Sequence, residues 1–213
     1  MTADDISDNQ AAAADLLFGE VVLEGRIGTE MAQQFRRRTM RAAKALLTQS
    51  QPAVLRIVIN SRGGGFTAGN YIISQIRRLQ TSGIKVEAFI AGDCESMAAM
   101  IAATCDRTVI SRTGRLMWHG LSLTQFAGDE NTMTARLQEL QRQNQMMLEV
   151  LLARARRTAN CRHPVFADRD KLADLLRKNS PNWLSAKEAL EAGLADEIGE
   201  PAFSLLLEKD TKP

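Results

Sequence analysis

Short apolar runs and longer amphipathic stretches alternate along the first 120 residues of this chain. The apolar runs are rich in Val, Ile and Leu and end at turn residues, which predicts strands rather than helices. The stretches between them place apolar residues near one helical face. The alternation predicts an α/β fold with a parallel sheet and crossover helices, whose active site lies at the carboxyl ends of the strands. The predicted strands cover residues 21–27, 53–60, 85–91, 107–111 and 115–119, and the predicted helices begin at Thr29, Thr67 and Ser96.

A single long helix is predicted from about residue 131 to residue 157. Its apolar positions recur at alternating steps of four and three, which is the spacing of a heptad seam. A helix of about 25 residues reaches nearly 40 Å at 1.5 Å per residue. This length favours a helix that projects and packs against a partner subunit, with a purely intramolecular seam as the alternative. The seam consists of Met133, Leu137, Leu140, Asn144, Met147 and Leu151.

The C-terminal third contains two capped helices in this interpretation. Asp168 or Asp170 can cap a helix over Leu172–Leu176. Residues 183–193 are predicted to form a second helix, with Ser185 and Glu188 as a capping box. We assign residues 1–15 to a flexible N-terminal arm, residues 16–200 to one domain and residues 201–213 to a C-terminal tail.

Composition and charge narrow the class of protein. The chain has 213 residues, 45% hydrophobic and 24% charged, as in soluble globular domains. A net charge of +2 does not favour nucleic acid or an anionic membrane as the partner, and no apolar run is long enough for a membrane span. The basic run Arg36–Arg38 is read as a solvated helix face.

Cysteine and histidine usage bears on compartment and metals. The N-terminus lacks the features of a signal peptide, and three cysteines without a Cys-x-x-Cys motif favour reduced thiols in a cytoplasm. Two histidines exclude a His-rich metal site, and we expect no metal or cofactor.

Two features with possible chemistry lie at predicted carboxyl ends of strands. The run Gly63–Gly65 follows the second predicted strand, and Ser96 lies between the third and its helix. Backbone N–H groups at a helix start are unpaired and favour negative charge, which suits a serine nucleophile and its oxyanion. The alternatives are that Ser96 only caps the helix and that the glycines form an ordinary turn.

Four segments in order resemble motifs of the Clp protease proteolytic subunit (ClpP) family. Residues 59–69 read I-N-S-R-G-G-G-F-T-A-G, similar to I-N-S-P-G-G-x-x-x-A-G, and residues 92–99 read G-D-C-E-S-M-A-A, similar to G-x-A-A-S-M-G-A. Residues 117–119 match M-x-H, and residues 183–196 resemble F-L-S-A-x-E-A-x-x-x-G-L-V-D. The gap of 23 residues from Ser96 to His119 is close to the usual separation in that family.

The resemblance implies a crotonase-like β-α spiral with a projecting handle helix at residues 131–157. It implies a serine endopeptidase in which Ser96 is the nucleophile, His119 is the general base, and the backbone N–H groups of Gly64 and Met97 form the oxyanion hole. It further implies a homo-oligomer of heptameric or stacked rings that takes peptides or unfolded proteins, with an ATP-dependent unfoldase as a possible partner.

Three positions depart from the family pattern. Arg62 replaces a proline and Ala98 a glycine, and we expect both to be tolerated. The catalytic aspartate of the family would fall on Pro181, which cannot orient an imidazole. Several replacements stay open: a Ser96–His119 dyad, or a third group among Asn179, Asn182, Asp170 and Asp174.

The missing acid also keeps alternative functions open. The chain could be a weak or inactive ring subunit, that is, a pseudoprotease. A crotonase-type acyl-CoA enzyme is a further alternative from the shared fold. A phage- or plasmid-type protease that processes one partner protein is a variant of the endopeptidase hypothesis.

Overall fold

A computed structural model describes residues 19–47, 53–121, 128–157, 161–178 and 180–201. The proposed N-terminal arm (1–15) and the tail beyond Pro201 lie outside these residues. Within them, the chain forms six helices and seven strands, and the strands make up a single sheet. The elements are β1 (Glu20–Glu24), α1 (Thr29–Leu46), β2 (Val54–Ser61), α2 (Phe66–Thr81), β3 (Lys85–Glu95), α3 (Met97–Thr104), β4 (Arg107–Ile110), β5 (Arg115–Trp118), α4 (Glu130–Arg157), α5 (Arg169–Arg177), β6 (Asn182–Ser185), α6 (Ala186–Glu191) and β7 (Glu197–Ile198).

The sheet is mostly parallel, as the alternation of apolar runs predicts. Strands β1, β2, β3, β4 and β7 lie side by side in that order, and each neighbouring pair is parallel. Alternate residues of β2 and β3 point into a fully buried core. Parallel strands place their carboxyl ends at one edge, so the loops after β2 and β3 meet there. The core residues of these two strands are Leu55, Ile57, Ile59, Val86, Ala88 and Ile90.

Strand β3 is longer than its prediction and pairs with two different strands. Its first half lies beside β4, and its second half, from Asp93 to Glu95, lies beside β5. The register with β2 shifts between Ile59 and Ser61. At this irregularity the Asn60 side chain accepts a hydrogen bond from the Asp93 N–H at 3.3 Å and packs against Gly92. The extension carries β3 forward until it ends immediately before Ser96.

Helix α4 confirms the long helix of the sequence prediction, and its two halves differ in exposure. The C-terminal half packs into the core through Met147, Leu148, Leu151 and Leu152. The N-terminal half leaves Met133 and Leu137 about half exposed, at 48% and 50%. The predicted seam is therefore intramolecular at one end and uncovered at the other. No helix in the described ranges is both long enough and apolar enough to cross a membrane.

The C-terminal segment corrects one prediction. Residues 182–185 form strand β6, antiparallel to β5, instead of opening a helix. The helix starts after Ser185, which accepts a hydrogen bond from the Glu188 N–H while the Glu188 carboxylate accepts from the Ser185 N–H, so the predicted capping box is confirmed. At α5, the cap is Asp168 and not Asp170.

A row of alternating charges crosses the sheet at the amino ends of its strands, and we call it the charge ladder. Arg56 on β2 pairs with Glu20 on β1 at 2.8 Å and with Glu87 on β3 at 2.7 Å. Arg107 on β4 then joins Glu87 to Glu197 on β7. The ladder thus connects β1, β2, β3, β4 and β7 at the end of the sheet opposite Ser96.

Candidate active site

Ser96 lies at a strained corner between β3 and α3. It is the one described non-glycine residue with positive φ, at φ 53° and ψ −115°. Such a conformation costs about 1–3 kcal/mol and persists only where the surroundings enforce it. The enforcement comes from β3, which pairs with β5 up to Glu95, and from the Ser96 N–H, which donates to the Met117 carbonyl at 2.6 Å.

The Ser96 hydroxyl does not cap the helix that it precedes. Ser96 occupies the N-cap position of α3, yet its side chain accepts no hydrogen bond from that helix. The Ser96 hydroxyl also makes no hydrogen bond to any other described residue, and His119 is no exception. The explanation of Ser96 as an ordinary cap therefore does not fit its geometry, and the hydroxyl is half-exposed beside a helix N-terminus.

The Gly63–Gly65 turn packs directly against this corner. Gly63 has φ 76°, and a Cβ atom built on it would lie 2.9 Å from the Ser96 Cβ and 3.0 Å from the Met97 nitrogen. Gly64 has φ 155° and would place a Cβ 2.2 Å from the Ile27 carbonyl oxygen. Side chains cannot occupy either position without moving backbone. The glycine turn and the serine corner, which are 33 residues apart in sequence, therefore form one structure.

Ile27 orients the peptides of this turn. Its N–H donates to the Gly63 carbonyl at 2.8 Å, and its carbonyl accepts from the Gly65 N–H at 2.8 Å. In this parallel bridge, the groups of the intervening residue Gly64 point away from Ile27. The Gly64 N–H is therefore directed to the opposite side, and it has no acceptor among the described residues.

Met97 supplies a second unused donor. It is the first residue of α3, where the N–H has no intrahelical acceptor. Within the described ranges its N–H is bonded to no carbonyl or side chain. Gly64 and Met97 thus each carry an N–H without an acceptor in the described ranges, and Gly63 packs the glycine turn against the Ser96 corner. An oxyanion hole is built from backbone donors of this kind.

His119 follows β5 just as Ser96 follows β3. The two strands are parallel neighbours, with Glu95 opposite Met117, so both residues leave the sheet at the same edge. The His119 Nδ1 lies 2.7 Å from the Gly120 carbonyl oxygen. A carbonyl only accepts, so Nδ1 carries the proton in the neutral ring and Nε2 is the unprotonated nitrogen. This is the tautomer that a general base acting through Nε2 needs.

The residues proposed as a third catalytic group beside Ser96 and His119 lie in different parts of the structure. Pro181 is exposed, and the Asn182 amide donates to the Ser180 carbonyl at 2.7 Å and to the Trp118 carbonyl at 3.4 Å. Asp170 is exposed in the first turn of α5, and Asp174 pairs with Arg177. Asn179 lies outside the described residues. The acceptor at His119 Nδ1 is the Gly120 carbonyl, which no sequence motif could indicate because every residue has a carbonyl.

The buried cysteine thiols near the Ser96 corner are not alternative candidates for the nucleophile. Cys94 and Cys105 are fully buried, and burial raises the pKa of both thiols far above the usual range. A buried thiol that stays protonated is a poor nucleophile. All three cysteines are unpaired.

The chain is similar to a known protein family over most of its length. A family model described as Clp protease matches residues 12–202 of the chain. The matched range includes the glycine turn, the serine corner, His119 and the capping box.

Proposed function

Because the chain belongs to the Clp protease family, a family of serine peptidases, we propose that it is a ClpP-like serine endopeptidase acting through Ser96 and His119. The single observation that supports this most is the Ser96 corner. There, a strained serine whose hydroxyl makes no hydrogen bond within the described ranges packs against the glycine turn, and the N–H groups of Gly64 and Met97 have no acceptor among the same residues. A structural cap would use its hydroxyl, and a structural turn would use its N–H groups.

The reaction follows from these groups. His119 Nε2 takes the proton of the Ser96 hydroxyl as its oxygen attacks the peptide carbonyl. The oxyanion forms hydrogen bonds with the Gly64 and Met97 N–H groups. His119 then protonates the leaving amine, and water repeats the sequence on the acyl-enzyme. In unliganded enzymes the serine–histidine hydrogen bond often forms only when substrate is bound, which accounts for its absence here.

In this proposal the enzyme works as a dyad supported by a backbone carbonyl. The Gly120 carbonyl takes the place of the aspartate at the imidazole Nδ1. It fixes the tautomer but carries no full negative charge, so it stabilises the imidazolium less than a carboxylate does. We therefore expect a slower enzyme than one with a complete triad.

Labelling with a fluorophosphonate tests the proposal. The probe should modify Ser96, and the Ser96→Ala variant should neither be labelled nor cleave an unstructured protein such as casein. Ser82→Ala is a matched control, because the exposed Ser82 hydroxyl bonds only the Arg78 carbonyl among the described residues. Absence of labelling at every pH from 6 to 9 would contradict the proposal.

An inactive ring subunit is a second candidate, which Pro181 favours because the position of the family's acid holds no carboxylate. It predicts an assembled protein without labelling or cleavage on its own. Labelling that disappears in Ser96→Ala excludes it.

We further propose that the chain forms homo-oligomeric rings through the exposed half of α4. Met133 and Leu137 are apolar side chains at an uncovered part of a heptad-like seam. Light scattering should give a ring mass for the wild type and a smaller mass for Leu137→Glu. Gln138→Glu adds the same charge at the next exposed position of the helix and should leave the mass unchanged. Equal masses for all three proteins would refute this interface.

A further inference from the structure

Asn144 is a polar residue in the otherwise apolar seam of α4. It lies one turn before the buried Met147 and is itself half-buried. A polar side chain at such a position is costly unless its hydrogen bonds are satisfied. The Asn144 side chain meets this requirement on a backbone segment outside its own helix.

The Asn144 amide holds both backbone groups of Leu121. Its Oδ1 accepts from the Leu121 N–H at 2.8 Å, and its Nδ2 donates to the Leu121 carbonyl at 3.5 Å. One side chain thus acts on Leu121 as a neighbouring strand would. Leu121 follows the residue whose carbonyl meets His119, so this contact restrains the Gly120–Leu121 peptide.

A second restraint acts on the same peptide from the other side. Gly120 is buried against the last turn of α5, where an added Cβ would lie 1.9 Å from the Leu176 carbonyl oxygen. Leu176 limits how far Gly120 can move in one direction, and Asn144 limits the motion of the next residue. The Gly120 carbonyl is therefore held at the position where it accepts from His119 Nδ1 at 2.7 Å.

We infer that Asn144 is a positioning residue for His119, which acts by fixing the Gly120 carbonyl and thereby the Nδ1–H tautomer of the imidazole. The effect of Asn144 on the His119 tautomer is independent of the proposed function, and only its effect on catalysis rests on that function. The alternative is that Asn144 merely satisfies the backbone of Leu121, which would affect stability and not the state of the His119 ring.

The state of the ring can be measured directly because the chain has two histidines. With ¹⁵N- and ¹³C-labelled histidine, and His163→Gln to assign the signals, the neutral form of His119 in the wild type should carry its proton on Nδ1. Asn144→Leu, which has a similar shape but no polar group, should show exchange between both tautomers. Asn144→Asp keeps the acceptor for the Leu121 N–H and should restore most of the wild-type signal.

Phosphonylation of Ser96 in the same variants measures the catalytic consequence. General-base catalysis contributes about 10²–10⁴-fold, so partial loss of orientation in Asn144→Leu should slow labelling by about 10- to 100-fold. Asn144→Asp should recover most of the rate. Gln145→Leu is the matched control and should label as the wild type does, since among the described residues the Gln145 amide bonds only Glu149 of the same helix.

The outcomes separate this inference from the proposed function. Unchanged tautomer and rate in Asn144→Leu, with or without a lower melting temperature, would overturn the role of Asn144. No labelling of the wild type would overturn the proposed function, while the ring signals would still decide on Asn144. If Asn144→Leu does not fold, Asn144→Ser replaces it, because the shorter side chain cannot reach both groups of Leu121.

Discussion

Gly63 lies so close to Ser96 that a methyl group on its Cα would come within 2.9 Å of the Ser96 Cβ and 2.5 Å of the Glu95 carbonyl oxygen. Gly63→Ala should therefore displace the peptide that carries the Gly64 N–H. We expect phosphonylation of Ser96 to slow by about 100-fold or more, the effect of losing one oxyanion-hole donor. Gly65→Ala is the control, because its Cβ would come no closer than 3.8 Å to Ile27. Equal rates for the two variants would show that the turn does not form the oxyanion hole.

Pro181→Asp places a carboxylate at the position of the missing acid. If the Gly120 carbonyl already orients His119, this variant should change peptidase activity by less than about tenfold, far below the 10⁴-fold effect of a catalytic aspartate. Pro181→Asn controls for the loss of the proline ring. Steady-state cleavage of a fluorogenic peptide measures both variants. If Pro181→Asp raised peptidase activity several hundredfold and Pro181→Asn did not, the Gly120 carbonyl would be a poor substitute for a catalytic aspartate.

Glu87→Gln interrupts the charge ladder at its centre. Glu87 bonds both Arg56 and Arg107, and its side chain is only 9% exposed. We expect a loss of about 1–3 kcal/mol in the free energy of unfolding, because the arginines lose a charged acceptor. Arg112→Gln removes an exposed pair at 3.9 Å and should cost less than about 0.5 kcal/mol. Urea unfolding compares the two, and similar losses would argue against the ladder as a source of stability.

Asp168→Asn tests the cap of α5 as a function of pH. The N–H groups of Lys171 and then Asp170 bond the Asp168 carboxylate and lower its pKa. A lowered pKa stabilises the fold above the unfolded value of about 3.9, and this stabilisation is lost as pH falls through the folded value. Asparagine caps a helix at any pH. The melting temperature of the wild type should therefore fall more steeply below about pH 4 than that of the variant; parallel profiles would contradict this assignment.

The parallel sheet and the serine corner could be predicted because each depends on neighbouring residues. Apolar runs predict strands, and glycine or serine after a strand predicts a turn at the functional edge. Strand β6 was missed because Trp183-Leu184 precedes a strong capping box, and that local signal outweighed pairing with β5, which lies over 60 residues away.

The partner of His119 could not be predicted from the sequence at all. Its acceptor is a backbone carbonyl, and the residue that restrains the next peptide is 23 positions further along the chain, on α4. The seam position of Asn144 indicated packing, but only the fold shows that it faces Leu121. A backbone acceptor at Nδ1 leaves no mark in the pattern of side chains near Pro181.

The charge ladder has a consequence at the opposite end of the sheet. The oxyanion donors come from the loop after β2 and the corner after β3, so their meeting depends on how these strands align. A slip of one residue would turn Arg56 and Glu87 to opposite faces, and a slip of two would separate their charges. Alternating charges thus penalise misaligned pairings during folding. The charge ladder lies far from the proposed active site. By fixing the register of β2 and β3, it brings the glycine turn and Ser96 together at the other end of the sheet.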